Sequence, residues 1–488
     1  MTDNNIGKSA KKGIAWTASA QVIKQCLEFG VGVIMARLLA PSDFGVVAAC
    51  MIFFSFVSIV TSFGFGPAII QRSEINDEYL NTAQTICVAF GIVSSLAMAL
   101  CAGLIGGVFR NQAVSDIIPL MSLTFLFSSF SIVPQSLLTR QLCFSKLTTA
   151  SIISSASYGV VAVGMAASGF GVWSLVGAPV ASVFVNMVLL SYFASYFPKF
   201  SFNRKYCNEI WSFGGAVTIS SLLNHVARNA DNFIVGRHLG SEALGFYSRA
   251  YNLATIPKEI MVSVFGAVLF PSFARMQDSV TRQSDAYFKS INAIVLVTLP
   301  ASLVLLISAP ELINVVYGDK WSNSIFPLRI LSLAGFVYTL YIPCTSLLLG
   351  LGKVRPYTIL QIVYSVGTIL AVCLTYSQGI ACVAFAVSMV IIISWIAYLV
   401  AVHKIFAFQF SSYWKSSKVA LFGALYMSLA MLVTKYMLNI YFNNMYLVLF
   451  AELLAAAAAY MFYLLKSQDE VCIELKNLIC GKLGFKNI

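Results

Sequence analysis

The sequence predicts an all-helical membrane protein of about fourteen transmembrane helices in two pseudo-symmetric bundles. Three observations carry that prediction. Hydrophobic residues make up 59% of the 488-residue chain and charged residues only 10%, with a mean hydropathy of +0.83. A soluble domain carries about 25% charged residues. The apolar runs last 20 residues or more, which suits a helix crossing hydrocarbon and is about twice the length of a barrel strand. Finally, Ile34-Met35-Ala36-Arg37-Leu38-Leu39-Ala40-Pro41-Ser42-Asp43-Phe44-Gly45 recurs 200 positions later as Ile234-Val235-Gly236-Arg237-His238-Leu239-Gly240-Ser241-Glu242-Ala243-Leu244-Gly245, with Ile, Arg, Leu and Gly at the same offsets.

The first run, 13–39, follows Lys8, Lys11 and Lys12. It is too long for the apolar core of a signal peptide and no small-residue cleavage site follows it, so it is the first span. The repeated motif closes this run and opens the next, 43–66. Spans 80–108, 114–137, 147–168 and 170–196 follow, the last two joined by a tight hairpin at Gly169. The second copy of the motif closes span 208–236 and opens 243–274, which Pro257 is expected to kink. Then come 287–308, 323–350, 356–377, 379–402, 416–438 and 444–465, with a second tight hairpin at Gln378–Gly379. The repeat sets the organisation: an N-terminal bundle of about six helices over 1–200, its repeat over 201–405, and two additional helices with a tail over 406–488.

Charge patterning tests the count. With the N-terminus inside, the inner segments hold twenty-one of the 31 bases, among them Arg72, Arg140, Lys146, Lys199, Lys353 and Lys404. The outer segments hold Arg37, Arg110, Arg237, Lys320 and Lys435. Cytoplasmic loops carry the excess of Lys and Arg, so the asymmetry places both termini in the cytoplasm. A helix missed early would reverse the bias downstream. The net charge of +12 is scattered between apolar runs and makes no nucleic-acid surface. The eleven cysteines form no Cys-x-x-Cys pair, so neither a zinc site nor a disulfide framework is expected. Cys50, Cys87, Cys101, Cys373 and Cys382 fall inside apolar runs and are expected to be buried as small hydrophobes. No loop is long enough for a soluble domain, so a catalytic centre in the loops is not expected and the spans must carry the function.

A charge at the bilayer centre costs about 2.5–3.5 kcal/mol on insertion scales, so intramembrane charges face a bundle interior or a wet cavity. Lys24, Arg228, Arg249, Lys258 and Arg329 are the bases within spans. Thr17, Gln21, Lys24 and Glu28 share one face of the first helix, and Ser221, His225, Arg228 and Asn232 share one face of the seventh, beside Asn224 and Asp231. The offset of 200 aligns Lys24 with Asn224 and Glu28 with Arg228. Two polar stripes at one depth in two repeats mark a cargo path at the repeat interface. The competing reading is that the charges merely pair, Lys24 with Glu28 and Arg228 with Asp231. The eighth helix adds Arg249, Asn252 and Glu259, with Tyr251, Thr255 and Lys258 on an adjacent face. His225 is a proton-relay candidate, against a plain interhelical hydrogen bond. Asp116 sits near a helix N-terminus, Arg329 near a span entrance, and Glu452 is expected to be isolated at the membrane interface. Gly30, Gly32, Gly214, Gly215 and Gly335 are expected to permit close helix packing.

Arg37 to Gly45 resembles the first-hairpin signature of polysaccharide exporters of the colanic-acid type, within the multidrug/oligosaccharidyl-lipid/polysaccharide (MOP) flippase superfamily. Gly64-Phe65-Gly66-Pro67-Ala68-Ile69-Ile70-Gln71-Arg72, Pro134 to Lys146, Asn229 to Arg237, Leu244 to Tyr251, Phe270 to Gln277 and Tyr317-Gly318-Asp319-Lys320-Trp321 are similar to that family, with His238 a departure from an apolar position. The resemblance covers about residues 7–400. It implies a V-shaped, two-lobed bundle in the bacterial inner membrane that alternates access. It also implies a cargo of undecaprenyl-diphosphate-linked oligosaccharide, flipped from the cytoplasmic to the periplasmic leaflet for O-antigen, capsule or exopolysaccharide. A polysaccharide polymerase complex is the implied partner, besides membrane lipids.

A diphosphate is anionic, and Lys and Arg would offset its dehydration. Lys24, Arg228, Arg249 and Lys258 are therefore the candidate cargo-facing bases. Glu28, Asp231, Glu259 and His225 are candidates for coupling to a proton or sodium gradient, or for holding those bases in place. No cofactor and no metal ligand set is expected. The alternatives are a multidrug or cation antiporter, which should centre on unpaired acids, and a peptidoglycan-precursor flippase. A membrane glycosyltransferase or polymerase would need a large outer loop.

Overall fold

The computed structural model describes residues 24–62, 65–72, 75–406, 410–442 and 444–467, and all regular structure among them is helical. The elements are α1 (24–38), α2 (Pro41–Ser62), α3 (Phe65–Gln71), α4 (Asp77–Leu100), α5 (Ala102–Phe109), α6 (Gln112–Arg140), α7 (Phe144–Ala167), α8 (Val172–Ala194), α9 (Arg204–Arg275), α10 (Val280–Ile307), α11 (Ala309–Val316), α12 (Ile325–Thr339), α13 (Tyr341–Gly350), α14 (Val354–Thr375), α15 (Ile380–Phe406), α16 (Phe410–Tyr441) and α17 (Met445–Lys466). Among the described residues, twelve stretches are long and apolar enough to cross a membrane. The expected fourteen differ by two. Span 13–39 begins outside the described residues, and spans 208–236 and 243–274 are two helices that meet across a kink within α9 and so count as one stretch. Within α9 the backbone leaves helical angles at Gly240 (φ 87, ψ 175), a conformation open to glycine because it has no Cβ. The two expected helices thus part at a single residue, inside the expected gap 237–242.

Local sequence sets several boundaries. The side chains of Asn76, Asn111 and Asn444 cap α4, α6 and α17 by accepting from Tyr79 N, Ala113 N and Tyr446 N at 2.9, 3.0 and 3.0 Å, as a short amide does at a helix start. The expected span 80–108 divides at Cys101, and 323–350 divides at Leu340. Pro343 lies in the first turn of α13, where its missing N–H costs least. The hairpins at Gly169 (φ 83) and Gly379 (φ 96) stand where expected.

The chain divides into two compact units, with the boundary between Gly245 and Phe246. The first packs Phe65, Ile69, Tyr79, Leu80, Ala83, Ile86, Cys87 and Val133 into a core against Phe90 and Tyr206. Within this unit the two copies of the repeated motif meet. A Cβ on Gly45 would lie 1.6 Å from the Ser241 carbonyl oxygen, and one on Gly245 would lie 2.0 Å from the Pro41 carbonyl oxygen. Exchanging the two copies, 45 for 245 and 241 for 41, turns one pair into the other, so the contact is reciprocal. Apolar side chains gain little from leaving lipid for protein, so close backbone approach at small residues holds membrane helices together. Around it, Arg237 Nη1 donates to the Val108 carbonyl at the end of α5, and Asn111 Nδ2 donates to Ser241 Oγ at 2.8 Å.

In the second unit Met427, Met431 and Ala456 pack with Leu303, Val304, Ile307 and Tyr460. A Cβ on Gly335 would meet the Ala254 carbonyl oxygen at 2.4 Å, as the packing reading expects. Gly30 and Gly32 correct that reading, since a Cβ on either would meet nothing within 4 Å among the described residues; Gly214 and Gly215 lie in a stretch of α9 whose side chains are outside the described residues. The cysteines are also split. Cys50 and Cys87 are buried and Cys382 is intermediate, but Cys101 and Cys373 are exposed. An apolar run in a membrane protein has a lipid face as well as a core face, and a small apolar thiol suits either.

Candidate functional site

The predicted charges fall in both units. In the first, Lys24 Nζ lies 3.7 Å from Glu28 Oε1, one helical turn on, with both side chains partly exposed. Asp231 is 3% exposed, and its Oδ1 accepts from Asn232 N at 2.8 Å. The side chains of Ser221, Asn224 and Arg228 lie outside the described residues, as do Thr17 and Gln21.

His225 links α9 to α2. Its Nε2 lies 3.0 Å from the Ile52 carbonyl oxygen and 3.3 Å from Ser55 Oγ, while Asn229 Nδ2 reaches Nδ1 at 3.2 Å. The tautomer with hydrogen on Nε2 satisfies both ring nitrogens, donating to Ile52 and accepting from Asn229. This geometry is that of the interhelical hydrogen bond weighed against a relay.

In the second unit, Arg249 and Lys258 are nine residues apart on α9, about two and a half turns, and so project to opposite sides. Arg249 hydrogen-bonds the phenol of Tyr317. Burial pushes that phenol up, and Arg249 pulls it part of the way back. Phe246 meets Trp321 edge-on at 6.0 Å, and Ser324 Oγ donates to the Phe246 carbonyl at 3.0 Å. The stretches 246–249 and 317–324 therefore pack on each other, and Arg249 belongs to that contact.

Lys258 has different surroundings. Its Nζ lies 4.3 Å from the centre of the Tyr338 ring. Tyr338 stacks on Tyr341 at 5.0 Å, and Tyr341 meets Tyr398 at 5.1 Å and Tyr364 at 6.4 Å. The Tyr341 hydroxyl donates to the Ile391 carbonyl at 2.7 Å, which fixes the ring beneath Tyr338. Tyr338 is partly exposed while Tyr341, Tyr364 and Tyr398 are buried. An ammonium over a ring, backed by buried rings, makes a firm cation–π seat. Glu259, the next residue, is exposed. The tyrosines come from α12, α13, α14 and α15, and no spacing within one helix announces their meeting.

A second feature has no sequence signal at all. Glu452, expected at the interface, is 0% exposed. Its Oε2 lies 2.5 Å from Ser308 Oγ, and its Oε1 lies 3.6 Å from Lys435 Nζ. The same ammonium lies 2.7 Å from Glu311 Oε2. Its hydrogen-bond partner Ser308 is 144 residues away, which is why Glu452 looked isolated in sequence. Among the described residues no group of three His, Cys, Asp or Glu side chains is placed to hold a metal ion.

A family model described as polysaccharide biosynthesis protein matches residues 34–326. Over 351 residues the chain is 26% identical to the lipopolysaccharide biosynthesis protein WzxC of Escherichia coli (strain K12), covering 70% of each. Among solved structures, lipid II flippase MurJ in an inward closed conformation matches with a TM-score of 0.74 at 13% identity, covering 96% of this chain and 99% of that one. A multidrug resistance MATE family transporter of the MOP superfamily, in its inward-facing conformation, matches with a TM-score of 0.66 at 16% identity, covering 81% of this chain and 98% of that one. The fold is thus the all-helical fold of that superfamily.

Proposed function

We propose, from the fact that the chain belongs to the polysaccharide biosynthesis protein family, that it is a flippase for undecaprenyl-diphosphate-linked oligosaccharide repeat units. It moves them from the cytoplasmic to the periplasmic leaflet of the bacterial inner membrane, for O-antigen, capsule or exopolysaccharide. The two related bundles alternate access to the cargo, and both termini lie in the cytoplasm, in keeping with the twenty-one inner bases against five outer ones. The product is handed to a polysaccharide polymerase.

The single observation that carries this reading furthest is Lys258 over the partly exposed Tyr338. A sugar diphosphate offers two chemistries, an anionic linkage and the apolar C–H faces of its rings. An ammonium seated on a tyrosine ring answers both, the charge meeting phosphate oxygen and the ring meeting a sugar face. Lys24, adjacent to Glu28, and Arg228 supply further bases along the path. Glu28 holds Lys24 in place. Arg249, bonded to Tyr317, acts by positioning the start of the second unit. Asp231, Glu259 and His225 stay charge or hydrogen-bond partners on α9, and transport draws on the proton or sodium gradient.

Mass spectrometry of undecaprenyl-linked intermediates in a conditional depletion strain tests the reading, with surface polysaccharide assayed in parallel. A complete repeat unit should accumulate while surface polymer falls. Unchanged lipid-linked pools with normal polymer, in a strain lacking any second exporter, would overturn it.

A further inference from the structure

Outside the proposed cargo path, the second unit buries an unbalanced set of charges. Lys435 on α16 faces Glu311 on α11 and Glu452 on α17, with Ser308 between α10 and α11 beside them. Among the described residues these are the charged groups that the packed elements turn toward Glu452. Glu452 is 0% exposed, Ser308 0% and Glu311 9%. Two carboxylates against one ammonium leave one negative charge over. Burying an uncompensated charge costs several kcal/mol, so the cluster requires one more positive charge than the side chains supply.

The geometry says where that charge goes. Lys435 Nζ is within hydrogen-bond distance of Glu311 Oε2 at 2.7 Å and of the Ile307 carbonyl oxygen at 3.1 Å. Glu452 Oε1, at 3.6 Å, is beyond that distance and accepts no hydrogen bond among the described residues. Lys435 is therefore matched to Glu311, and the surplus sits on Glu452. A metal ion is a poor source of the missing charge, because the ammonium already occupies the seat among these oxygens. A proton fits. A neutral Glu452 carries O–H on Oε2, donated to Ser308 Oγ across the 2.5 Å separation, and leaves Oε1 as a carbonyl that tolerates a missing donor.

We propose that Glu452 is a proton-binding site, and that its proton decides which carboxylate Lys435 holds. With the proton bound, Lys435 ties α16 to α11. When the proton leaves, the ionised Glu452 competes for the ammonium, and a movement of about 1 Å exchanges its two partners (2.7 against 3.6 Å). The attachment of the last two helices to α11 thereby depends on a proton.

The test is infrared difference spectroscopy on the purified full chain in lipid nanodiscs, stepped from neutral to alkaline pH. The wild type should lose a protonated carboxylic acid carbonyl band, and Glu452→Gln should lack that band. Glu311→Gln frees the ammonium for Glu452, so the same band should vanish although Glu452 is intact. A purely structural clasp would not produce that loss. Absence of the band in the wild type, its persistence in either variant, or its removal by sodium at constant pH would overturn the proposal. The Glu311→Gln result stands alone if Glu452→Gln does not fold.

Discussion

Replacing Gly45 by alanine should destabilise the first unit sharply, although the change adds one methyl group. The new Cβ would lie 1.6 Å from the Ser241 carbonyl oxygen and 2.5 Å from its carbon, where ordinary contact begins near 3.4 Å. The facing atoms are backbone, so no side chain can rotate away, and the two strands of chain must part by about 1.8 Å. Overpacking a well-packed site costs about 1–3 kcal/mol, and a clash against backbone belongs at the upper end. Separation would also disturb the neighbouring Asn111–Ser241 and Arg237–Val108 hydrogen bonds. About 3 kcal/mol corresponds to a fall of about 6 °C or more in apparent melting temperature for a unit of this size. Gly245→Ala, 2.0 Å from the Pro41 carbonyl oxygen, should behave alike. Gly32→Ala, with open space around it, should be neutral or slightly stabilising, since alanine is the better helix former by about 1 kcal/mol. Thermal denaturation of the detergent-purified protein, followed by fluorescence-detected gel filtration, reads all three. A Gly45→Ala protein that melts with the wild type would refute the reciprocal contact.

Four further outcomes follow from the side-chain geometry. Arg249→Ala and Tyr317→Phe should each lower stability, and a double-mutant cycle should give a coupling of about 1–2 kcal/mol; additive effects would separate the pair. Lys258→Met should cut polymer export while membrane levels hold, with Lys258→Arg retaining much of it because guanidinium also stacks on a ring; export at wild-type rates in Lys258→Met would remove it from the cargo path. His225→Gln should cost about 1 kcal/mol of stability and leave the pH profile of export where it is, whereas a displaced profile would make His225 a relay. Alanine at Lys24, Arg228 and Lys258 together should abolish export at normal protein levels, and intact export would end the cationic-path proposal.

Fold class was legible because hydrocarbon imposes a length and a composition on any segment that crosses it, and because the repeat is written in identical residues at a fixed offset. The break between spans seven and eight falls inside the expected gap 237–242, at one residue. Gly240 turns the chain without needing a loop, and only its φ reveals that. The candidate charges were visible as departures from an apolar background, but their partners were not. Lys24 and Glu28 meet within one helix turn, so spacing foretold the pair. Tyr338 beneath Lys258, Tyr317 beside Arg249, and Ser308 beside Glu452 depend on helices packing from distant stretches. Periodicity within one helix carries no record of that packing, which is why Glu452 was placed at the interface.

The repeat also separates what the backbone requires from what cargo requires. Gly45 and Gly245 recur at the same offset, and each is wedged against a carbonyl of the other copy. Neither position admits a side chain, so both copies keep glycine whatever passes through the protein. The flanking polar positions face no such demand and have diverged: Lys24 stands opposite Asn224, Glu28 opposite Arg228, and Leu38 opposite His238. A symmetric cargo would favour equal stripes in the two copies. A lipid-linked oligosaccharide is polar at one end, anionic at its linkage and apolar beyond, so its path must differ along its length. Identical glycines beside unlike charges are what one backbone crossing serving an asymmetric cargo requires.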